Sequence, residues 1–383
     1  MRGSMAMLTI HECRTPAERR AFVTFPWRVY RGDPYWVPPL ISERMIFFDP
    51  QRNPFYQHAE VALFIARRDG EPVGTIAALI NHQHNTFHNE RVGFFGAFEV
   101  LPDREAAHAL LSAARDWVRA RGMTALRGPA TFSTNEECGL LIEGFQDSPR
   151  ILMPYNPPYY RDFIEGFGFQ KAMDLYAYEL TVEVFDWPEK LVRVVEKLKN
   201  RARFRVRRAD IRRFREELDR IKKVYNSAWE RNWGFVPLTD AEIEHMAAQL
   251  IHFVDPDLVF IAEVDEEPIG FSLTLPDMNQ ALRKAYPRPG IPEWWTLLKL
   301  LYYWKVRRVV NTIRVFAMGV VEGWRSQGVS ALFYYETAKA ALPKGYRRAE
   351  MSWVLENNLM MNRDIQAMGG RIYKIYRIYE LPL

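Results

Sequence analysis

The stretch Met318-Gly-Val-Val-Glu-Gly-Trp-Arg-Ser-Gln-Gly-Val-Ser-Ala-Leu332 decides the fold of this 383-residue chain. Its apolar start predicts a strand, and the apolar run after Ser330 predicts a helix. Between them lies the loop Arg325-x-x-Gly-x-Ser330, which has small residues where the helix begins. The first backbone N–H groups of a helix have no partners within it and lie at the positive end of the helix dipole. The stretch therefore predicts a strand, loop and helix that bind a phosphate group.

A second segment follows downstream, with a strand at 349–355, Asn357-Asn358, a helix to Met368, and Gly369 before the last strand. Together the two segments resemble motifs A and B of the GNAT (Gcn5-related N-acetyltransferase) superfamily, and the resemblance covers about 203–380. It implies that acetyl-CoA or another acyl-CoA binds here, with main-chain groups of Met318 and Val320 on the pantetheine. The implied cofactor-binding set is Met318, Gly319, Val320, Arg325, Ser326, Gln327, Gly328, Val329, Ser330, Asn357 and Asn358.

Two positions depart from the family pattern. Ser330 stands where glycine or alanine is usual, but serine is small and suits the start of a helix. Ile365 stands seven residues after Asn358, where the resemblance implies a tyrosine that protonates the departing thiolate. Either another residue such as Tyr373 or Tyr376 takes this role, or the thiolate leaves unassisted. Tyr373 is the candidate acid.

The predicted elements occur in the same order twice along the chain. In each half, a pair of apolar strands with a tight turn (62–80 and 259–275) precedes a strand and a helix, and a helix, a glycine and a final strand close the half. A chain of this length also exceeds the ~250–300 residues at which one core stops growing. We therefore predict an α+β protein of two tandem GNAT-like domains, each a mixed, mostly antiparallel sheet flanked by helices.

The predicted boundaries are a first domain at 5–183, a linker helix at 184–202 and a second domain at 203–383. The opening Met-Arg-Gly-Ser is interpreted as an appended leader. The first copy runs from a strand at Phe94 into a helix without a glycine-rich loop, and Glu105 stands where the anion would bind. We therefore expect only the second copy to bind acyl-CoA. The layout resembles that of the mycothiol synthases and peptidoglycan aminoacyltransferases.

An acceptor ammonium group must lose a proton before it attacks, so a carboxylate near the thioester is expected. In GNAT folds the first helix leads into the acceptor loop, which here corresponds to 225–238. Glu230 is the candidate base, and caps and turns are the alternative roles for this set. The candidate acceptor ligands are Asn232, Trp233, Asp277 and Asn279. The aromatic content of 14% and the Trp-rich segment 294–304 favour an apolar or extended acceptor, or a longer acyl chain.

Other patterns in the sequence have plainer interpretations. His82-x-His84-x3-His88 has the residues of a zinc or copper site, but we interpret it as a polar hairpin loop and predict no metal. Cys138 has no histidine near it in sequence, and a GNAT reaction is a direct transfer without a covalent intermediate. The chain has only two cysteines, in no CxxC pattern, which excludes a disulfide framework and fits a reducing cytoplasm.

The charges and apolar runs limit the partners. From Lys197 to Lys223 there are 13 Lys or Arg against 4 acidic residues. Alternation with apolar residues favours a solvated face over a nucleic-acid stripe, and attraction of CoA phosphates is a third use. Basic residues interrupt Trp294–Val310 well short of the ~20 apolar residues of a membrane span. We expect this helix to pack on its own protein, and an interfacial helix is the alternative.

The sequence thus predicts a cytoplasmic N-acyltransferase that passes an acetyl or other acyl group from acyl-CoA to a primary amine. The acceptor is a small molecule or a peptide, and a homodimer is compatible with the sequence. Two alternatives use the same features differently. A noncatalytic CoA-binding sensor or scaffold accounts for the absent tyrosine, and an aminoacyl-tRNA-dependent transferase would use the basic stretch for RNA.

Overall fold

The structure, a computed structural model, describes residues 7–181, 189–201, 203–230 and 232–383. They form two compact units that are discontinuous in sequence. The first contains the chain up to Leu175, together with Ala281–Tyr303 and Lys374–Leu383; the second contains Tyr176–Gln280 and Trp304–Tyr373. Each unit is a mixed sheet flanked by helices, as predicted. The predicted leader lies outside the described residues, as does part of the predicted linker.

Strands and helices alternate along the chain much as the sequence predicts. The strands are β1 (Leu8–Glu12), β2 (Ala59–Arg68), β3 (Glu71–Asn81), β4 (Val92–Val100), β5 (Ala125–Gly128), β6 (Ala130–Thr131), β7 (Glu137–Cys138), β8 (Leu140–Glu143), β9 (Gln170–Thr181), β10 (Arg205–Arg208), β11 (Val259–Val264), β12 (Glu267–Pro276), β13 (Thr312–Val320), β14 (Arg348–Leu355) and β15 (Arg371–Pro382). The α-helices are α1 (Pro16–Thr24), α2 (Pro26–Val29), α3 (Ile41–Phe47), α4 (His82–His88), α5 (Arg104–Arg119), α6 (Tyr160–Phe167), α7 (Glu189–Arg201), α8 (Phe214–Trp229), α9 (Asp240–Leu250), α10 (Asn279–Ala285), α11 (Glu293–Leu301), α12 (Val329–Ala341) and α13 (Leu359–Ala367).

In the first unit, strands β1 to β5 and then β15 lie side by side, and β4 and β5 form the parallel pair. Helix α5 begins at the cap Asp103, whose side chain accepts a hydrogen bond from the Ala106 N–H at 3.0 Å. Its buried residues Ala106, Leu110, Ala114 and Val118 recur every four positions, so they form one face that packs into the core of this unit.

The last strand belongs to the first unit, although the sequence order suggests the second. Strand β15 pairs antiparallel with β5, from Tyr379 opposite Gly128 to Pro382 opposite Ala125. Main-chain hydrogen bonds between residues about 250 positions apart leave no periodic signal in the sequence. The final ten residues are therefore separated from the 203–383 domain that we predicted.

The segment Ala281–Tyr303 also belongs to the first unit. The indole N–H of Trp27 donates to the Pro287 carbonyl at 2.8 Å, and the Arg283 guanidinium donates to Ser148 Oγ at 2.8 Å. Glu293, at the start of α11, accepts a hydrogen bond from the Ser42 backbone N–H at 3.1 Å. These contacts hold α11 on the first unit by its N-terminal end.

In the second unit, β10 to β14 lie side by side in chain order, antiparallel except for the pair β13 and β14. Helix α8 covers one face, where Val224 and Ala228 pack on Ile261 and Phe271. Helices α7 and α12 contribute to the core cluster on β10 to β14 that includes Phe333. Helices therefore cover both faces of this sheet, and the sheet opens where β13 and β14 separate.

Two predicted elements differ from the structure. The sequence pattern predicts one helix from Pro16 to Tyr30, but the structure divides it into α1 and α2 because Pro26 has no N–H for the helical ladder. The segment from His82 to His88, predicted as a loop, is helix α4. The Asn81 side chain accepts a hydrogen bond from the His84 N–H at 3.1 Å and so caps this helix.

Glu99 on β4 provides a test of the first unit's core. The hydroxyls of Tyr30 and Tyr160 donate to its carboxylate at 2.9 and 2.8 Å. Burial raises the pKa of Glu99 from 4.5 to about 8. The fold therefore favours the protonated carboxyl, and its stability falls as the pH rises from 4.5 toward 8.

Glu99→Gln, which keeps the neutral shape at every pH, is expected to change the thermal midpoint little at pH 5. At pH 9 it should raise stability by about 1 kcal/mol or more, because the wild-type carboxyl is then ionised in the core. Exposed Glu143→Gln is the control and should be neutral at both values. Equal effects of Glu99→Gln at pH 5 and pH 9 would contradict the raised pKa.

Candidate active site

A cleft opens in the second unit where β13 and β14 separate. The two strands pair in parallel from Thr312 opposite Arg348 to Val315 opposite Met351, and the pairing ends there. Beyond this point lies a cavity of about 330 Å³, within the range of small-molecule sites. Its lining consists of Ala228, Trp229, Asn232, Trp233, Met318, Gly319, Val320, Arg325, Ser330, Tyr334, Leu355, Asn357, Asn358, Met360, Met361 and Asp364.

The register of β13 determines which backbone groups face this gap. The Val321 N–H donates to the Ile269 carbonyl at 2.9 Å, so this pair is hydrogen-bonded across to β12. In an antiparallel ladder such pairs alternate, which makes Gly319, opposite Phe271, the next hydrogen-bonded residue. The backbone N–H and C=O groups of Met318 and Val320 therefore face the other way, toward the gap left by β14. This is the edge that the resemblance implied for pantetheine.

The loop after β13 ends in a left-handed glycine. Gly328 has φ of +84° and is the N-cap residue of α12, which begins at Val329. A Cβ at this position would lie 2.5 Å from Leu198 Cδ1 of α7, so a side chain here is both strained and crowded. The glycine thus permits both the left-handed turn before α12 and the close approach of Leu198. Ser330 in the first turn of α12 lies in the cleft lining.

Arg325 anchors this loop through hydrogen bonds to two main-chain carbonyls. Its Nε donates to the Val320 carbonyl at 3.1 Å, and one terminal nitrogen donates to the Ala228 carbonyl at 2.7 Å. Ala228 lies in the last turn of α8, where carbonyls have no partners within the helix. The guanidinium thus joins the end of β13, the loop and the end of α8, and it fixes the wall of the cleft.

The predicted residues divide into a group in the cleft and a group outside it. Seven of the predicted cofactor-binding residues line the cavity, and so do the predicted acceptor ligands Asn232 and Trp233. Ser326 and Gln327 are exposed in the loop, and Val329 is buried beneath it. None of these three is in the lining, and neither is Gly328, the N-cap of α12. The seven in the lining are Met318, Gly319, Val320, Arg325, Ser330, Asn357 and Asn358.

The other predicted residues lie elsewhere in the second unit. Glu230 is exposed at the end of α8, and Asp277 is buried in the turn after β12, where its N–H donates to the Thr312 carbonyl at 2.9 Å. Asn279 begins α10. The Tyr373 hydroxyl donates to the Glu350 carboxylate. These four residues are outside the cavity lining.

Two chemically active residues in the cleft were missed from the sequence. Tyr334 is on the cleft side of α12, four residues after Ser330, and burial raises the pKa of its hydroxyl, with the nearby Asp364 carboxyl adding to the effect. Asp364 is on α13, and burial raises the pKa of its carboxyl. Helical spacing was the available signal, because residues four apart share a face.

The corresponding gap in the first unit is filled. Strands β4 and β5 pair in parallel only from Val92 to Phe94, as their counterparts do. A Cβ on Gly96 would lie 2.5 Å from the Ala130 carbonyl oxygen, and the Ala97 N–H donates to Thr131 Oγ1 at 3.0 Å. Phe132, which follows, stacks on Phe47 and Phe55 with ring centroids 4.4 and 4.7 Å away. Side chains and β6 thus occupy the space that is a cleft in the second unit.

The histidine cluster, Cys138 and the basic stretch that the sequence analysis singled out have structural explanations. His84 is buried with Nε2 3.2 Å from a Glu90 carboxylate oxygen, and no group of three metal ligands occurs among the described residues. Burial raises the pKa of the Cys138 thiol to about 12, which makes it a poor nucleophile. In the basic stretch, Arg207 bonds both Glu217 and Glu263, and Arg208 bonds Asp257. These carboxylates neutralise much of the stripe.

The two units and the cleft define a tandem acyltransferase fold, and the comparisons agree. The model of the Acetyltransferase (GNAT) family matches residues 29–137, in the copy whose gap is filled. A tandem GNAT protein from the clavulanic acid biosynthesis pathway superimposes with a TM-score of 0.55 at 12% identity, over 98% of each chain. That likeness concerns the fold.

Two relatives are similar over nearly the whole length. "Bacterial ceramide synthase" from Caulobacter vibrioides (strain NA1000 / CB15N) is 37% identical over 383 residues, which cover 99% of this chain and 98% of the relative. "Protein YghO" from Escherichia coli (strain K12) is 34% identical over 365 residues, with 94% and 92% covered. The chain belongs to the GNAT acyltransferase family.

Arg325→Lys tests the two hydrogen bonds that Arg325 donates to the Val320 and Ala228 carbonyls. Lysine can reach one carbonyl but cannot bridge two with a planar fork, so the variant should be less stable by about 1–2 kcal/mol. Urea unfolding of the second unit, followed by tryptophan fluorescence, is the measurement. Ser326→Ala, the exposed neighbour, is the control and should leave the midpoint unchanged. An unchanged midpoint for Arg325→Lys would show that its two hydrogen bonds do not hold the loop.

Proposed function

We propose that this chain is an N-acyltransferase that joins the acyl group of an acyl-CoA to the primary amine of a long-chain amino alcohol, giving a ceramide-type amide. The whole-length identity of 37% to a protein named bacterial ceramide synthase supports the acceptor class. The cleft between β13 and β14, with its open backbone edge and glycine-capped helix, supports acyl-CoA as the donor. The observation that carries the proposal is this cleft.

The residues of the cleft fit acyl-CoA part by part. The backbone groups of Met318 and the Val320 N–H suit the amides of the pantetheine arm, because an extended amide chain pairs with an open strand edge. The Val320 carbonyl already accepts a hydrogen bond from Arg325. The N-terminus of α12, with Gly328 before it, suits the pyrophosphate. Asn357 and Asn358 line the opposite wall on the way into α13. When bound, acyl-CoA supplies an acyl group activated as a thioester.

Asp364 is our candidate for the group that accepts the ammonium proton. Its carboxyl lies in the cleft lining, whereas the predicted base Glu230 is exposed outside it. A carboxylate whose pKa is raised by burial is a stronger base than an ordinary one, and so it is better matched to removing a proton near neutral pH. Water can relay this proton if the amine is not in direct contact.

Tyr334 is our candidate for the group that donates a proton to the leaving sulfur. It lies in the cleft lining, and its hydroxyl, like any tyrosine hydroxyl, is protonated at neutral pH. Burial raises the pKa of this hydroxyl and so weakens it as an acid relative to an exposed tyrosine. Tyr373, the candidate from the sequence, bonds Glu350 and is outside the cleft lining. Tyr334 and Tyr373 are therefore competing assignments for the acid.

The donor site is tested with Gly328→Glu and calorimetry of acyl-CoA binding. The added carboxylate lies at the helix N-terminus and repels the phosphates, so affinity should fall at least roughly 100-fold. Gly328→Ala, which introduces the same left-handed strain and the same contact with Leu198 without the carboxylate, is the control for the backbone and should keep most of the affinity. Gly323→Glu is the control for charge: it adds the same carboxylate five residues earlier, where a Cβ meets no atom within 4 Å. Its affinity should stay within about threefold of wild type, since one exposed charge is largely screened.

The same proteins are then given acyl-CoA and a panel of amines, and amide formation is followed by mass spectrometry. Turnover with long-chain amino alcohols supports the proposed acceptor. Binding of acyl-CoA without turnover on any amine would instead favour a sensor. Absence of acyl-CoA binding, together with salt-sensitive tRNA binding, would favour a tRNA-dependent transferase.

Tyr334→Phe and Asp364→Asn separate the proton-transfer roles. Each should lower kcat roughly 100-fold and leave the KM for acyl-CoA within about threefold, because general acid or base catalysis acts mainly on the chemical step. Asp364→Asn, which removes the carboxylate, should also abolish the fall of kcat at low pH. Tyr373→Phe is the comparison and should retain most of kcat. A large loss in Tyr373→Phe with normal turnover in Tyr334→Phe would reverse the assignment.

A further inference from the structure

Helix α11 presents a second apolar face to solvent. Its sequence Glu-Trp-Trp-Thr-Leu-Leu-Lys-Leu-Leu is apolar nearly all round, but only Thr296 and Leu300 are buried. The side chains on the outside are large, and Trp294 and Leu298 are 62% and 51% exposed. The exposed apolar set is Trp294, Trp295, Leu297, Leu298, Leu301 and Tyr302.

These six side chains form one continuous stripe. At 3.6 residues per turn, successive residues are about 100° apart, so the six occupy an arc of about 160°. Thr296 and Leu300 fall in the opposite arc, which packs inward. A continuous stripe of exposed tryptophan, tyrosine and leucine is unusual, because exposed apolar residues are normally scattered singly. We expected this helix to pack on its own protein, and the structure buries only its inner face.

Basic residues lie on α11 and follow it in the chain, beginning with Lys299 in the last turn of the helix. The helical turn Tyr302–Val306 carries exposed Lys305, and exposed Arg307 and Arg308 follow it directly in the chain. The acid on α11, Glu293, hydrogen-bonds Ser42 at the N-terminal end of the helix. An anionic lipid surface is complementary to both the charges and the apolar stripe.

We propose that the outer face of α11 binds the surface of an anionic lipid membrane, with the apolar stripe at the boundary of headgroups and acyl chains. Tryptophan and tyrosine prefer this boundary because their rings are amphipathic. Among the residues that the structure describes, no helix is long and apolar enough to cross a bilayer, so the contact is peripheral. The role of the contact rests on the proposed function: long-chain amino alcohols and their amides reside in membranes.

Vesicle co-sedimentation of the full chain tests this face. The vesicles are phosphatidylcholine alone, or phosphatidylcholine with 30 mol% phosphatidylglycerol. Wild type should bind the anionic vesicles, and roughly tenfold more weakly at ~0.5 M salt, because the electrostatic part is screened. Trp294→Ser with Leu298→Ser should weaken binding at least roughly tenfold, since two large apolar side chains no longer leave water. Their exposure predicts a thermal midpoint at or above that of wild type.

Met7→Ser with Ile211→Ser is the matched control, because both are exposed apolar residues that are not part of α11. This variant should bind the vesicles as wild type does. Arg307→Gln with Arg308→Gln should weaken binding to anionic vesicles severalfold and leave binding to neutral vesicles unchanged. Unaltered vesicle binding by the α11 variant, or no binding by wild type to either vesicle, would overturn the proposal. So would loss of a wild-type dimer in the α11 variant without any vesicle binding.

The outcomes are separable from those of the proposed function. Transfer to a short-chain, water-soluble amino alcohol without vesicles should be equal in wild type and in the α11 variant. Vesicle binding without any acyl transfer would refute the proposed function and leave the membrane contact standing. Transfer to soluble acceptors without vesicle binding would refute the contact alone.

Discussion

The limit on parallel pairing between β13 and β14 is the constraint on which the site depends. Four residue pairs, ending at Val315 and Met351, hold the strands together, and beyond them the strands separate. A strand that loses its neighbour leaves backbone donors and acceptors unpaired on one edge, which costs free energy if they are buried without partners. A cleft open to a ligand rich in amide groups accommodates that edge. The surrounding loop, with Arg325 and Gly328, keeps the cleft from closing.

In the first unit, the gap beyond the end of the parallel pair is filled by other residues. Its parallel pair also ends early, after Phe94, but Gly96 lets the chain at Ala130 approach to a distance that no side chain would allow. Thr131 then supplies a hydrogen-bond partner to the Ala97 N–H, and Phe132 fills the space with stacked rings. The two copies therefore share a backbone plan and differ in what fills the gap. The family model matches the first copy, which shares this backbone plan.

The sequence predicted local features well and long-range ones poorly. The strand, loop and helix around Gly328 were predictable because propensities and the left-handed glycine act within a few residues. The assignment of β15 to the first unit was not, because its partners on β5 are about 250 residues away and alternation of side chains looks the same beside any strand. Helix α4 was missed for a different reason: a single cap, Asn81, decides between helix and turn in a short polar segment.

The packing of α13 explains why isoleucine stands at position 365, where the resemblance implies a tyrosine. Ile365, seven residues after Asn358, is fully buried in the core, and a Cβ on Gly370 would lie 2.5 Å from its Cγ2. A tyrosine there would have to displace that packing. Counting from Asn357 instead leads to Asp364, which lines the cleft. A carboxylate at this point suits proton removal better than proton donation, and the donor can then come from α12, where Tyr334 lines the same cleft. In the mechanism that we propose, the two proton transfers are therefore divided between α12 and α13.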